Sequence, residues 1–228
     1  MTDTARKIIN DQQEWIRKEY FATKADGDIL PYMALKDIEE VTRSPGAHRR
    51  EHEIVLKELP GGSGLETARI AMCETLGYSV MWARYKSRSD RTYAEDFAAF
   101  IKYKYGHPTG KFQGFHADHV FSLARAEVSK EKWTVVCLCP ASVNTSHGAK
   151  TEKSILAGLT GSKEQRLLDT IGLLKCYGIR IFKGDGDTYQ VDEEALELAA
   201  RQLSLSGIDL SEDIDFLKKV TDFRPCET

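Results

Sequence analysis

Residues 116–153 read HADHVFSLARAEVSKEKWTVVCLCPASVNTSHGAKTEK, and they hold a concentration of side chains that can move protons and bind a hard cation. Asp118 and His119 are adjacent. An apolar run from Trp133 to Cys139 follows, then Asn144 and His147 stand just before Gly148. A histidine can take a proton from water near neutral pH. A carboxylate and a second histidine can hold a divalent ion against a phosphate and neutralise its charge. Neighbouring residues of an extended segment point to opposite sides, so Asp118 could face a metal while His119 faces water. Asn144 could orient the histidine or complete the metal shell. A helix opening near Gly148 would favour an anion through its free N–H groups. Lys150 and Lys153, in its first turns, could meet phosphate oxygens. The chemistry to expect is phosphodiester hydrolysis.

Three phrases carry a family likeness: DHV at 118–120, WTVVCLCP at 133–140 and VNTSHGAKTEK at 143–153. Together they resemble the HNH, or ββα-metal, endonuclease superfamily, and in particular the nuclease modules of some bacterial toxins and phage proteins. The resemblance implies a strand bearing the Asp-His pair, a second apolar strand and a helix. It implies His119 as general base and Asp118 as metal ligand, with Asn144 and His147 as the candidates for the remaining ligand. In the assignment adopted, Asn144 serves catalysis and His147 the metal. The implied cofactor is a divalent ion, Mg²⁺ first, with Zn²⁺ or Mn²⁺ as alternatives. The implied partner is DNA or RNA. Arg84 and Lys111 join Lys150 and Lys153 as expected substrate-binding cations.

Other constellations compete with this one. His48, Glu51 and His52 have the order of an inverted zinc-peptidase motif, in which two histidines four apart on a helix grip one ion. Arg49 and Arg50 between them favour a solvated helix face. Cys137 and Cys139 lie two apart on a strand-like run and point the same way, so they could join His116, His119 or His147 around zinc. Two buried core thiols fit the spacing better. Tyr93, Phe97, Phe100, Tyr103 and Tyr105 sit near basic residues and could stack on bases. The spacing of the first four reads as a helix core before anything else. The loop Pro60-Gly61-Gly62-Ser63-Gly64 lacks the lysine of a phosphate-binding P-loop. Ser63 and Glu66 have the spacing of a helix capping box.

The elements that must position these residues read as follows. Helices are expected over 3–23, 31–42 with Pro31 at the first position, a charged stretch ending at Leu59, and 63–77. A strand is expected over 79–85 and a helix over 91–103. Then come the strand–strand–helix segment, helices over 152–159 and 163–177, and a hairpin around Gly184-Asp185-Gly186-Asp187. Helices over 193–205 and 211–220 close the chain. The expected class is α+β, mainly helical, with a compact ββα-metal-like core and a C-terminal hairpin. Residues 1–60 would form a helical N-terminal part and 61–228 an α+β domain.

Composition frames the functional classes. The chain has 228 residues, 41% hydrophobic and 29% charged, which is ordinary for a globular protein. No apolar run is long enough for a membrane span, and the first residues lack the apolar stretch of a secretory signal. Five irregularly spaced cysteines suit reduced thiols, so a cytoplasmic setting is expected. Net charge is −3 but uneven. Residues 82–111 hold seven Lys/Arg against three acids, and residues 185–215 hold ten acids against Arg201 alone. The basic stretch suits nucleic acid and the acidic one a protein partner. The competing reading is a non-enzymatic helical interaction protein, such as a phage or toxin–immunity partner.

Overall fold

A computed structural model of the chain describes residues 2–22, 30–43, 52–87, 90–122, 125, 126, 130, 132–147, 165–184, 190–205, 207 and 208. Helix α1 spans Asp3–Ala22 and strand β1 Tyr32–Leu35, followed by a 3-10 turn, Ile38–Arg43. Strands β2 (Ile54–Glu58), β3 (Ala68–Cys73) and β4 (Tyr78–Arg84) form an antiparallel meander. Helix α2 (Thr92–Tyr105), β5 (Phe115–His119), β6 (Trp133–Pro140) and α3 (Ala141–His147) follow. Next come β7 (Gln165–Leu167), α4 (Thr170–Tyr177), the pair β8 (Phe182–Lys183) and β9 (Gln190–Val191), and α5 (Glu193–Leu205). The main sheet is an antiparallel half-barrel in the order β2-β3-β4-β6-β1-β7, with β5 added to β6.

Strand β6 is the centre of this arrangement. Its first residues pair with β1 and β4, and Val136–Pro140 pair with β5. All but Pro140 are buried. Val135, Cys137 and Cys139 turn into one apolar layer with Trp15 and Ile16 of α1, Ile171 and Leu174 of α4, and Leu196 and Leu203 of α5. Val136 and Leu138 turn into a second layer with Phe97, Phe100 and Ile101 of α2. A strand covered on both faces reads as an unbroken apolar run, which is why WTVVCLCP does not alternate. Gln12 ties three elements together. Its Nε2 donates to Leu138 O at 3.2 Å and Cys176 O at 3.1 Å, while Leu138 N donates to its Oε1 at 2.7 Å.

The fold is not mainly helical. The 31–42 segment supplies β1 and a 3-10 turn, the charged stretch before Leu59 ends in β2, and 63–77 contains β3. Apolar residues at 68, 70, 71 and 73 fit a helical stripe as well as a strand buried on both faces, and in a run this short the neighbouring strands decide. Ser63 caps no helix: its N–H donates to the buried carboxylate of Asp96 on α2 at 2.6 Å. Glu66 instead reaches Arg84 at 3.2 Å. Strands from both sides of residue 60 share the main sheet: β1 lies between β6 and β7, and β2 pairs with β3. The segment 163–177 divides into β7 and α4, with Asp169 Oδ1 capping α4 through Gly172 N at 2.8 Å. The β8–β9 hairpin forms where its turn signal stands. The helices read over 152–159 and 211–220 lie outside the described residues.

Gly106 and Gly110 share the same left-handed φ of 66° but not the same surroundings. A Cβ on Gly106 would meet nothing within 4 Å, whereas one on Gly110 would lie 2.1 Å from the Ala98 carbonyl oxygen. Gly106→Ala should therefore lose about 1–2 kcal/mol, the penalty of the left-handed conformation alone. Gly110→Ala should lose clearly more, since backbone cannot yield. Urea unfolding of the two variants beside the parent checks the difference, and equal losses would refute it.

Candidate functional site

Strand β5 presents its residues to two sides, as pleating requires. Phe115, Ala117 and His119 turn toward α2. His116 and Asp118 turn toward α3 and α4. The strand–strand–helix order of β5, β6 and α3 is present, but the helix spans Ala141–His147 and does not open near Gly148, and its side chains are committed in unexpected ways.

His119 is wedged between two tyrosines. Its ring centroid lies 4.0 Å from that of Tyr93 and 5.0 Å from that of Tyr85. Its Nε2 is buried and has no hydrogen-bond partner among the described residues. Burial pushes its pKa down to about 4, and nearby Asp118 only partly offsets this. The ring is thus neutral at neutral pH, and its nitrogen does not reach solvent.

Asp118 is held by Lys175 of α4, with Nζ 2.7 Å from Oδ2. Lys175 is 1% exposed, and it also donates to His119 O at 3.2 Å. His147 is fully buried, with Nε2 3.1 Å from Ile179 O and the ring edge-on to Phe182. A carbonyl only accepts, so Nε2 carries the hydrogen. Burial pushes this histidine down to about 4 as well. These commitments bear on the divalent ion that the family resemblance implies. An ion at Asp118 would have to displace a buried ammonium, and His147, fully buried and held through Nε2, could offer an ion only Nδ1. Among the described residues no three His, Cys, Asp or Glu side chains form a metal-holding group. The residues read as ligands do not fit the ion.

The other candidates disperse. Arg84 is bound to Glu66. Cys137 and Cys139 are buried free thiols; contact with Cys176 and burial raise the first, and burial raises the second. Lys150, Lys153, His48 and Glu51 lie outside the described residues, and His52 is half-buried. Phe97 and Phe100 are core residues of α2, as their spacing implies, while Tyr103 is exposed. Of the acidic segment, α5 shows exposed Leu198 and Leu205.

What the structure does bring together is an open groove of about 530 Å³ between the start of α2 and β5. Arg91, Tyr93, Lys111, Phe112, Phe115, His116 and Asn144 line it, over a floor of Phe97 and Leu138. No carboxylate is among the described lining residues. Arg91 and Lys111 are exposed and make no ion pair with any described residue. Asp90, just before them, is occupied by Thr92 and by Lys86 at 3.6 Å. His116 is exposed, with its Nδ1 3.4 Å from Asn144 Nδ2. Of these residues, sequence reasoning selected Lys111 and Asn144, weighed Tyr93 and Phe97 for stacking on bases, and considered His116 only as a zinc ligand. Strand parity was the available signal: His116 shares a side with Asp118, and His119 does not.

No protein-family model, curated protein or solved structure matches this chain. Among the described residues no helix is long and apolar enough to cross a membrane.

The two depressed histidines set a pH dependence. Each has a folded pKa near 4 against an ordinary 6.5, so the unfolded chain takes up the proton first as pH falls. Their contribution is complete above about pH 6.5 and is lost toward pH 4, at up to about 1.4 kcal/mol per unit for each histidine. His119→Phe keeps an aromatic ring between the tyrosines and removes one titration. Its unfolding free energy, measured from pH 7.5 to 5, should fall less steeply than the parent's. A parallel decline in both proteins would contradict the assignment.

Proposed function

We propose that this protein cleaves phosphodiester bonds in a nucleic acid lying in the groove between α2 and β5, with His116 as the group that takes the proton. One observation carries the reading. Among the described residues, two cations that make no ion pair and an exposed histidine–asparagine pair share a groove whose described lining holds no carboxylate. A polyanion gains from such a surface, and repulsion does not oppose it.

The chemistry follows from the donors present. Arg91 and Lys111 neutralise charge on the phosphate as it builds. His116 accepts the proton of the attacking hydroxyl, the new P–O bond forms, and the leaving oxygen departs and takes a proton from solvent. For this, Nε2 must hold the lone pair. Asn144 supplies that condition when its carbonyl oxygen, rather than its NH₂, faces Nδ1–H, and the two amide orientations are interchangeable by a flip of the side chain. His119 is placed differently: its nitrogen is sealed behind Tyr93.

Labelled single strands of RNA and of DNA, each incubated in Mg²⁺, Mn²⁺ or EDTA, test the proposal. The parent should cleave at least one polymer. His116→Ala should lower the rate by about 10²-fold or more, the usual contribution of a proton-transferring residue. His119→Phe should cost much less. No cleavage by folded parent protein in any condition would sink the proposal, and so would a His116→Ala variant that cleaves at the parent rate.

A further inference from the structure

Resting on that reading, we infer that the groove takes a single-stranded segment, stacking unpaired bases on Tyr93, Phe112 and Phe115 while Arg91 and Lys111 carry the backbone. All three rings are half-buried and line the same cavity. They come from α2, from the loop before β5 and from β5 itself, and two of them are braced from behind. Tyr93 rests on His119 at 4.0 Å, and Arg91 Nη1 lies 3.4 Å from its hydroxyl. Phe112 rests on His107 at 4.4 Å, and His107 Nδ1 accepts from Gly110 N–H at 3.1 Å. Gly110 is in turn pressed against the Ala98 backbone. That turn therefore places Lys111 and Phe112 together. Rings already fixed lose little entropy when a base lands on them.

A surface meant for phosphates alone has no use for three aromatic walls. Each base has a π-face, so stacking tolerates any sequence, but a base in a duplex has both faces covered. The cavity, about 530 Å³, is the size of sites that hold a small organic molecule, so it admits one or two nucleotides at a time. His119 gains a role here as the brace of Tyr93, a positioning residue rather than a base.

Binding of the full-length chain is measured by fluorescence anisotropy in EDTA, with cleavage-resistant phosphorothioate probes. The probes are a single strand, the same strand with abasic sites and a duplex of the same sequence. The single strand should bind best. Phe112→Ala should weaken it by roughly 5- to 150-fold, the range expected for one lost stacking contact, and leave the abasic strand nearly unchanged. A 2-aminopurine base in the single strand should be quenched by the parent protein, a readout that needs no variant. Equal binding of intact and abasic strands without quenching overturns the stacking inference. In that case the nucleic-acid reading survives, provided Arg91→Ala/Lys111→Ala abolishes the binding. Tighter binding of the duplex overturns the inference in the same way. Failure of every probe to bind removes the proposed function itself.

Discussion

The pairing of Lys175 with Asp118 decides what the rest of the site can be. An ammonium that is 1% exposed has given up its water, and leaving it alone would cost several kcal/mol. Asp118 lies 2.7 Å away as its counter-ion, and Nζ also donates to the backbone oxygen of His119. Two bonds from one lysine thus fasten the end of β5 to α4. Once that side of the strand is fastened, pleating sends His119 to the opposite side, under α2. His116, two residues nearer the open end, is left in solvent beside Asn144. A carboxylate that looks like a metal ligand in the sequence is a counter-ion in the fold. A histidine that looks like the base becomes packing for a tyrosine.

The same sorting applies to charge. Counting residues 82–111 suggests a broad basic face, yet half of those cations that the structure describes are already engaged. Arg84 meets Glu66, Lys86 meets Asp90, and Lys104 lies 3.8 Å from Asp11 and donates to Ser79 O. Exposed pairs of this kind add little stability, about 0–1 kcal/mol each. Their effect here is to confine the field. What is left for a ligand at the groove, among the described residues, is Arg91 and Lys111, which line it together with the aromatic rings. Two localised cations beside rings describe a ligand with both phosphates and bases better than a diffuse patch would.

Helices α1 and α2, strands β4 and β6 and the β8–β9 hairpin were legible because their signals are local. They are a long amphipathic stripe, an apolar run too short for a helix, and a Gly-Asp turn. The stretch from 31 to 77 was not legible. Its short apolar runs suit either period, and β1 is a strand only because β6 and β7, a hundred and more residues later in the chain, stand on both sides of it. The capping-box spacing of Ser63 and Glu66 was real, but Asp96 and Arg84 outcompeted it. At the site, the succession of strand, strand and helix could be read, though the helix spans Ala141–His147 and does not open near Gly148. Which side of β5 is covered could not, since that depends on Lys175, far along the chain.

His119 links the stability of the fold to the shape of the groove. A neutral imidazole, with no partner for Nε2 among the described residues, can lie against Tyr93 and Tyr85 at the cost of one unmade hydrogen bond. An imidazolium there would be a buried cation beside Lys175 and Arg91, and both push its pKa further down. Acid therefore acts on the same ring that holds Tyr93 in the groove wall. Gln12 and the pairing with β1 and β4 hold β6 from elsewhere, whereas Tyr93 in the wall rests directly on this ring. A ring that is poor as a base is, for the same reason, well suited to keeping a recognition surface rigid at neutral pH.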